Sequence, residues 1–257
     1  MRIILSPTKQ MKREEELHFS LSEPVFIEKT KILREYLKGL PYEDLKALLN
    51  CNDKIALENY ERFQEMDFNQ RLSPALLSYD GIAFKYMAPQ VFSQEYYDYV
   101  SEHLRILSGF YGVLKPFDGI CLYRLEMQTK LKTDFCRNLY DYWGKAIYDE
   151  VIDESHLIIN LASNEYAKTI KTYLSKEDIF VDVVFGEMKG NKVVEKGVYV
   201  KMARGEMVAY MASCQAKDIE AMKSFDRLGF HYYEDLSTPT KLVFVRGEEN
   251  NEKSNEF

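Results

Sequence analysis

The chain has 257 residues, of which 46% are apolar and 29% are charged, and its formal net charge is −7. This length allows one large domain or two small ones, and the apolar fraction is typical of a globular protein rather than a disordered one. The negative net charge argues against a basic surface over the whole protein, although it is compatible with a local basic groove.

The amino-terminal part of the chain is predicted to be mainly helical. A short buried strand is predicted over residues 3–5. It ends at Ser6-Pro7, where Pro7 restricts Ser6 to extended geometry. Apolar residues then recur at helical spacing, and Ser93 is a suitable cap for the last helix of this part. The predicted helices cover residues 23–40, 42–50, 53–66 and 94–107.

The middle of the chain contains turn signals followed by a strand and a helix. Gly109 and Gly112 indicate one tight turn, and Pro116 and Gly119 delimit a second. A strand is predicted over residues 120–127, and Asn138 is a suitable cap for a helix that continues to residue 152.

Strands are more frequent in the carboxyl-terminal half. The continuous apolar run LIINL at residues 157–161 predicts a central strand, and Gly190 marks a hairpin turn. The predicted strands cover residues 157–161, 179–188, 192–202, 230–235 and 241–246, and the predicted helices cover residues 164–174 and 203–212. The last ten residues, 248–257, are polar and are predicted to form a disordered tail.

We therefore predict a single α+β domain over residues 1–247, with a mixed β-sheet, either open or partly closed, surrounded by helices. A plain alternating, doubly wound arrangement fits less well, because helices dominate the first half and strands the second. No apolar run approaches the roughly 20 residues of a membrane-spanning helix, and the amino-terminal apolar window is too short for a signal peptide. The four cysteines form no CxxC pair. These observations predict a cytoplasmic protein with reduced thiols and no membrane contact.

Several candidate binding residues follow predicted strands or lie in turns. Ser6 and Lys9 come directly after the first strand, where a hydroxyl and an ammonium group could hold a phosphate, or could simply form a solvated turn. Gly109 and Gly112 would allow a ligand to approach the backbone closely, as in phosphate clamps, but a tight packing turn explains them equally well.

Cations occur repeatedly at the predicted element ends. Arg124 and Glu126 would share one face of a strand, either as a structural ion pair or as an arginine directed into a cleft. Near the start of the predicted helix at residue 203, Lys201 and Arg204 oppose the helix dipole, which favours a ligand-binding role over a stabilising one. The cations of this kind are Arg105, Lys115, Arg124, Arg137, Lys168, Lys201 and Arg204.

Signatures of enzymes are largely missing. No HExxH, GxSxG, P-loop or GxGxxG motif is present, and the four histidines stand apart from one another. We therefore expect no cofactor and no metal site. Carboxylates could perform acid–base chemistry, but the sequence does not distinguish them from solvated or ion-paired groups. The candidates are Asp80, Asp118, Glu126 and Glu165.

The chain resembles the YaaA peroxide-stress-resistance family over residues 3–246. The matching segments are ILSPTKQM, HLRILSGFYGVLKPFD with YRLEM, LYDYWG, INLASNEYAK, KMARGEM and KLVFVR. The resemblance implies a cytosolic protein that protects cells during peroxide stress and limits iron-driven damage to DNA. It also implies DNA binding through a positively charged cleft and a helix-hairpin-helix-like element. The family's Phe-x-Gly-Asp-like stretch is replaced here by Tyr79-Asp80-Gly81-Ile82, so a role of that carboxylate is not transferred.

Our leading hypothesis is that the cationic residues of the matching segments converge on one cleft that binds DNA of undetermined form. Tyr111 or Tyr123 would stack on an exposed base. The alternative is an enzyme that acts on a phosphate-bearing small molecule or a damaged nucleotide in the same cleft. Direct iron binding is disfavoured because the ligand residues are not clustered. The oligomeric state is not predicted. The residues assigned to nucleic-acid binding are Ser6, Lys9, Arg105, Gly109, Tyr111, Gly112, Lys115, Tyr123, Arg124, Lys168, Lys201 and Arg204.

Overall fold

The molecule is organised around a mostly parallel β-sheet, as seen in a computed structural model that describes residues 1–14, 19–190 and 192–247. The strands of the described part are β1 (Arg2–Leu5), β2 (Ser73–Pro74), β3 (Leu104–Ser108), β4 (Gly112–Leu114), β5 (Gly119–Ile120), β6 (Leu157–Leu161), β7 (Ile179–Lys189), β8 (Lys192–Val194), β9 (Phe230–Tyr232) and β10 (Lys241–Arg246). The main sheet has the order β4-β3-β1-β6-β7-β10-β9, and β8 pairs with β7. Strands β2 and β5 form a separate pair.

Helices surround this sheet. In the described residues they are α1 (Ile27–Gly39), α2 (Tyr42–Leu49), α3 (Asp53–Glu65), α4 (Ala75–Ser78), α5 (Ile82–Met87), α6 (Gln94–His103), α7 (Leu139–Trp143), α8 (Ala146–Val151), α9 (Asn164–Lys171) and α10 (Gly197–Ser213). Every residue of β3, and all but the first residues of β1 and β6, are buried, so these strands are covered on both faces. Within the described ranges, no helix has the length and apolar character needed to cross a bilayer.

The five central strands, β3, β1, β6, β7 and β10, run parallel to one another. After β1, the next strand of this sheet along the chain is β3, on one side of β1. After β6, the next strand is β7, on the other side. The connections therefore leave the neighbouring strands β1 and β6 in opposite directions. In open parallel sheets, such a switch point creates a crevice beyond the carboxyl ends of the two strands.

The predicted mixed sheet surrounded by helices is confirmed. More of its strands are parallel than expected from a chain whose predicted helices dominate the first half and strands the second. Its hydrogen-bonded order has two ends, β4 and β9, so the described strands do not close it into a barrel. The predicted strands at residues 157–161 and 241–246 match β6 and β10. The predicted tail at residues 248–257, and Asn191 of the predicted hairpin turn, lie outside the described residues.

Several predicted elements differ from the structure, in part because a buried strand and a buried helix end have the same apolar composition. The predicted helix at 94–107 ends at His103, and its last residues form β3 instead. The predicted strand at 120–127 is reduced to Gly119–Ile120. The predicted strand at 192–202 stops at Val194, and α10 begins at Gly197. Helix α5 replaces part of the predicted break around Gly81.

The glycine turn between β3 and β4 connects two antiparallel strands and is not a helix-hairpin-helix. Gly112 has a φ of 75°, which glycine adopts without the steric cost of a side chain, and a Cβ there would be 2.9 Å from the ring of Trp143. Ser108 Oγ accepts hydrogen bonds from the amides of Phe110 and Tyr111, at 3.1 and 2.8 Å. Because these groups are buried, the turn is part of the core.

Candidate functional site

A cleft of about 540 Å³ lies at the switch point between β1 and β6. One wall consists of the residues that follow β1, and a second consists of the residues that follow β6 and begin α9. Helices α5 and α10 supply a further wall, and the irregular segment after β5 completes the lining. The polar residues that line it are Ser6, Thr8, Lys9, Gln10, Asp80, Tyr123, Arg124, Glu126, Ser163, Glu165, Tyr166, Lys201 and Arg204.

Two serines join the ends of β1 and β6. Ser6 Oγ donates a hydrogen bond to Ser163 Oγ at 3.2 Å and accepts one from the Ser163 amide at 2.8 Å. Ser163 occupies the N-cap position of α9, as predicted, but its hydroxyl makes no capping bond to the helix. The start of α9 therefore lies at the cleft without a side-chain cap, an arrangement in which the helix dipole favours negative charge.

The irregular segment after β5 contributes a cluster of three charges. Glu126 lies 3.1 Å from Lys9 Nζ and 3.2 Å from Arg124, so one carboxylate is shared by two cations. The Arg124 and Glu126 side chains are 11% and 25% exposed. The predicted ion pair between these two residues is present, although the segment is not a strand. Because Lys9 and Arg124 share one counter-charge, the cluster retains one positive charge.

Helix α10 contributes two further cations. Lys201 is exposed and Arg204 is half-buried, and their i, i+3 spacing places both on one side of the helix. Among the described residues neither makes a salt bridge, and the buried Nε of Arg204 makes no hydrogen bond. Burial lowers the pKa of Arg204, and the negative charges of Glu195 and Asp182 partly offset this effect. A half-buried guanidinium of this kind is a candidate anion-binding group.

Carboxylates limit the positive charge of the cleft. Asp80 lines the cleft and lies 3.0 Å from Lys85, which is not part of the lining. Glu165 Oε1 accepts a hydrogen bond from the Gln128 amide at 2.9 Å. Burial raises the pKa of Glu165, an effect that the Gln128 amide opposes and the negative charge of Glu126 increases. The lining contains four cations and three carboxylates and has a formal charge of +1, so the site is basic only locally.

Six of the twelve residues assigned to nucleic-acid binding line this cleft. They come from three segments of the chain: Ser6 and Lys9 after β1, Tyr123 and Arg124 after β5, and Lys201 and Arg204 in α10. Tyr123 is 3% exposed, and its hydroxyl bonds to Ser108 and Tyr79 at 2.6 and 2.8 Å. Burial raises its pKa to about 12, and its ring presents little surface for stacking.

The other six assigned residues lie elsewhere. Gly109, Tyr111 and Gly112 belong to the buried turn, so the proposed stacking of Tyr111 on a base is incompatible with its position. Lys115 is exposed outside the cleft lining, and Lys168 lies over the ring of Tyr140 at 4.8 Å from its centroid. Arg137, also considered above, pairs with Asp141 at 2.7 Å.

Arg105 is a structural residue of β3 rather than a ligand contact. Its side chain is buried, and Nη1 donates to the carbonyls of Ser101, Glu102 and Leu104 at 3.3, 3.2 and 2.8 Å. Burial, with a smaller contribution from Arg2, lowers its pKa to about 10. We expect Arg105→Met to lower the free energy of unfolding by about 1–2 kcal/mol, because buried carbonyls lose their donor. Urea denaturation would measure this, and an unchanged midpoint would contradict the structural role.

Sequence reasoning gave Glu165 and Ser163 too little weight and placed α10 incorrectly. Glu165 was one of several carboxylates without known burial, and its position in the cleft depends on the pairing of β6 with β1. Gly205 lies inside α10, and a Cβ there would overlap the Ala83 carbonyl of α5, so the two helices pack closely at this residue. In residues 1–14, 19–190 and 192–247, no three His, Cys, Asp or Glu side chains form a group that could hold a metal ion.

Comparisons with known proteins assign the chain to a family. A family model described as "Peroxide stress protein YaaA" matches residues 1–236. A UPF0246 protein of Desulfitobacterium hafniense is 58% identical over 246 residues, which cover 96% of this chain and 98% of that protein. UPF0246 proteins of Lachnoclostridium phytofermentans and Agathobacter rectalis are each 50% identical, over 97% and 96% of this chain and 98% and 99% of theirs. The chain therefore belongs to the peroxide stress protein YaaA family, and this membership supports a role in peroxide stress.

Proposed function

We propose that the protein acts during peroxide stress by binding DNA at the cleft between β1 and β6, and that this binding helps to limit iron-driven damage to DNA in the cytoplasm. The main support is the pair of α10 cations, Lys201 and Arg204, which face the cleft without a salt bridge to any described residue. Backbone phosphates are the groups that such side chains recognise in DNA.

The size of the cleft restricts the form of DNA that it accepts. A volume of about 540 Å³ is typical of a site for a small molecule, and a base-paired duplex is too wide to enter it. One nucleotide unit of a single strand, a frayed end or a flipped position would fit. We therefore expect single-stranded and forked DNA to bind more tightly than an intact duplex.

Fluorescence anisotropy with labelled single-stranded, forked and duplex DNA, from about 50 to about 200 mM salt, tests this proposal. Arg204→Gln is expected to weaken binding to every DNA sequence by about tenfold. It should also reduce the slope of log affinity against log salt concentration by about one, which corresponds to one lost phosphate contact. Lys217→Gln is the control, since it removes an exposed cation outside the cleft lining. Absence of binding to every form at low salt, or equal losses in the two variants, would refute the proposal.

The alternative function, an enzyme acting on a phosphate-bearing small molecule or a damaged nucleotide, is favoured by a separate observation. Glu126 and Glu165 line the same cleft and have different surroundings. Simple backbone binding does not require acidic groups beside the bound phosphate, because they repel it. Their presence is more typical of a site that performs chemistry.

A further inference from the structure

The two cleft glutamates differ in their contacts with cations. Glu126 lies within 3.2 Å of both Lys9 and Arg124, so its negative charge is stabilised by neighbouring positive charges. Glu165 makes no salt bridge with any described residue, and its hydrogen bond comes from the backbone amide of Gln128. One carboxylate therefore has two cationic partners within salt-bridge distance, while the other is half-buried and has none among the described residues.

Burial has the largest effect on Glu165 and raises its pKa. The nearby charge of Glu126 acts in the same direction, whereas the Gln128 amide and Lys9 oppose the rise. A pair of carboxyl groups, of which one donates a proton and the other is an anion, is the arrangement that cleaves bonds at an anomeric carbon. The acid protonates the departing group, and the anion stabilises the positive charge that develops on the sugar.

The remaining walls suit the rest of a nucleotide. Lys201 and Arg204 supply charge for a phosphate, and Tyr166, which is 5% exposed and follows Glu165 in the chain, also lines the cleft. The volume of about 540 Å³ is within the range for a ligand of this size. The two cations without a salt bridge to a described residue lie on the α10 wall, and the two glutamates lie on the walls that follow β5 and β6. This arrangement matches a molecule that has an anionic phosphate at one end and a sugar–base bond further along.

We propose that the cleft hydrolyses the N-glycosidic bond of a nucleotide, either free or within DNA, with Glu165 as the proton donor to the departing base. This inference rests on the proposed function, because it requires the cleft to bind nucleotide units. The bond between C1′ and the base nitrogen breaks, its electron pair stays on the nitrogen, and the nitrogen takes the proton of Glu165. Water adds its oxygen to C1′ and releases a proton to solvent, from which Glu165 is reprotonated. The products are a free base and a sugar phosphate with a hydroxyl at C1′.

The experiment measures base release and binding on the same samples. The substrates are 5′-mononucleotides of the standard bases and of 8-oxoguanine, and single-stranded oligonucleotides that contain one 8-oxoguanine. Released base is quantified by liquid chromatography, and binding is measured by anisotropy for the oligonucleotides and by calorimetry for the nucleotides. We expect release from at least one substrate class, and the class that reacts identifies the source of the nucleotide.

Glu165→Gln is expected to reduce the rate at least about 100-fold while leaving affinity within about twofold, because a glutamine keeps the shape and cannot donate the proton. The wild-type rate should fall as pH rises through the pKa of Glu165, which removes its proton. Lys217→Gln should behave as wild type, because Lys217 is exposed and outside the cleft lining. Binding without base release from any substrate, or full activity of Glu165→Gln, would overturn this inference; binding without release would leave the proposed DNA binding intact.

Discussion

Replacement of Gly205 by alanine is expected to lower the free energy of unfolding by about 3 kcal/mol or more. Gly205 lies where α10 crosses α5, and an alanine Cβ would overlap the Ala83 carbonyl oxygen and approach the Met87 amide nitrogen to 2.9 Å. Overpacking in a core usually costs about 1–3 kcal/mol, and the upper end applies here because the obstructing atoms belong to the backbone of another helix. Urea denaturation of the variant would measure the loss.

A matched control is available in the same helix. Gly197 is the first residue of α10, and a Cβ there would meet no atom within 4 Å. Gly197→Ala should therefore leave stability unchanged or raise it slightly, since alanine favours helical backbone more than glycine does. If Gly205→Ala were as stable as Gly197→Ala, the close packing of α10 on α5 would be wrong. In Gly205→Ala, a shift of α10 away from α5 should also weaken ligand binding at the cleft, because Arg204 precedes Gly205 in the helix.

Replacement of Glu126 by glutamine is expected to change stability and ligand affinity in opposite directions. Without this carboxylate, Arg124 is left largely buried with no counter-charge, which should lower the free energy of unfolding by about 1–3 kcal/mol. At the same time the formal charge of the cleft lining rises by one, so affinity for single-stranded DNA at low salt should increase several-fold. Thermal unfolding and anisotropy on the same preparation would measure both effects.

Glu220→Gln is the control for the change in net charge. Glu220 pairs with Lys223 at 2.8 Å and is 67% exposed, outside the cleft lining, so its loss should alter neither quantity measurably. An affinity that falls in Glu126→Gln would show that Glu126 contacts the ligand directly instead of neutralising the cations around it. An increase in DNA affinity in both Glu126→Gln and Glu220→Gln would indicate a general effect of net charge.

The local signals in the sequence were sufficient for elements whose hydrogen bonds and capping groups are close in the chain. Ser93 caps α6 by accepting from the Tyr96 amide at 3.4 Å, and Asn138 caps α7 by accepting from the Asp141 amide at 2.9 Å. The apolar runs of β6 and β10 had the length and composition of buried strands, and both are strands. The run at residues 104–108 was ambiguous, because a buried helix end and a buried strand have the same apolar composition.

The sequence by itself determined the mixed sheet, most of its elements and the segments that contain cationic residues. It did not determine which of these cations share a site. Arg105 and Arg124 both follow apolar residues in the same region, yet Arg105 donates to carbonyls of α6 and β3 and Arg124 lies in the cleft. Lys9, Glu165 and Arg204 are far apart along the chain, and only the parallel pairing of β1 with β6 and the packing of α10 on α5 place them around one cavity. Tertiary structure decides such groupings because strand order and helix packing depend on burial of whole elements, whereas the local sequence records only the preferences of each element separately.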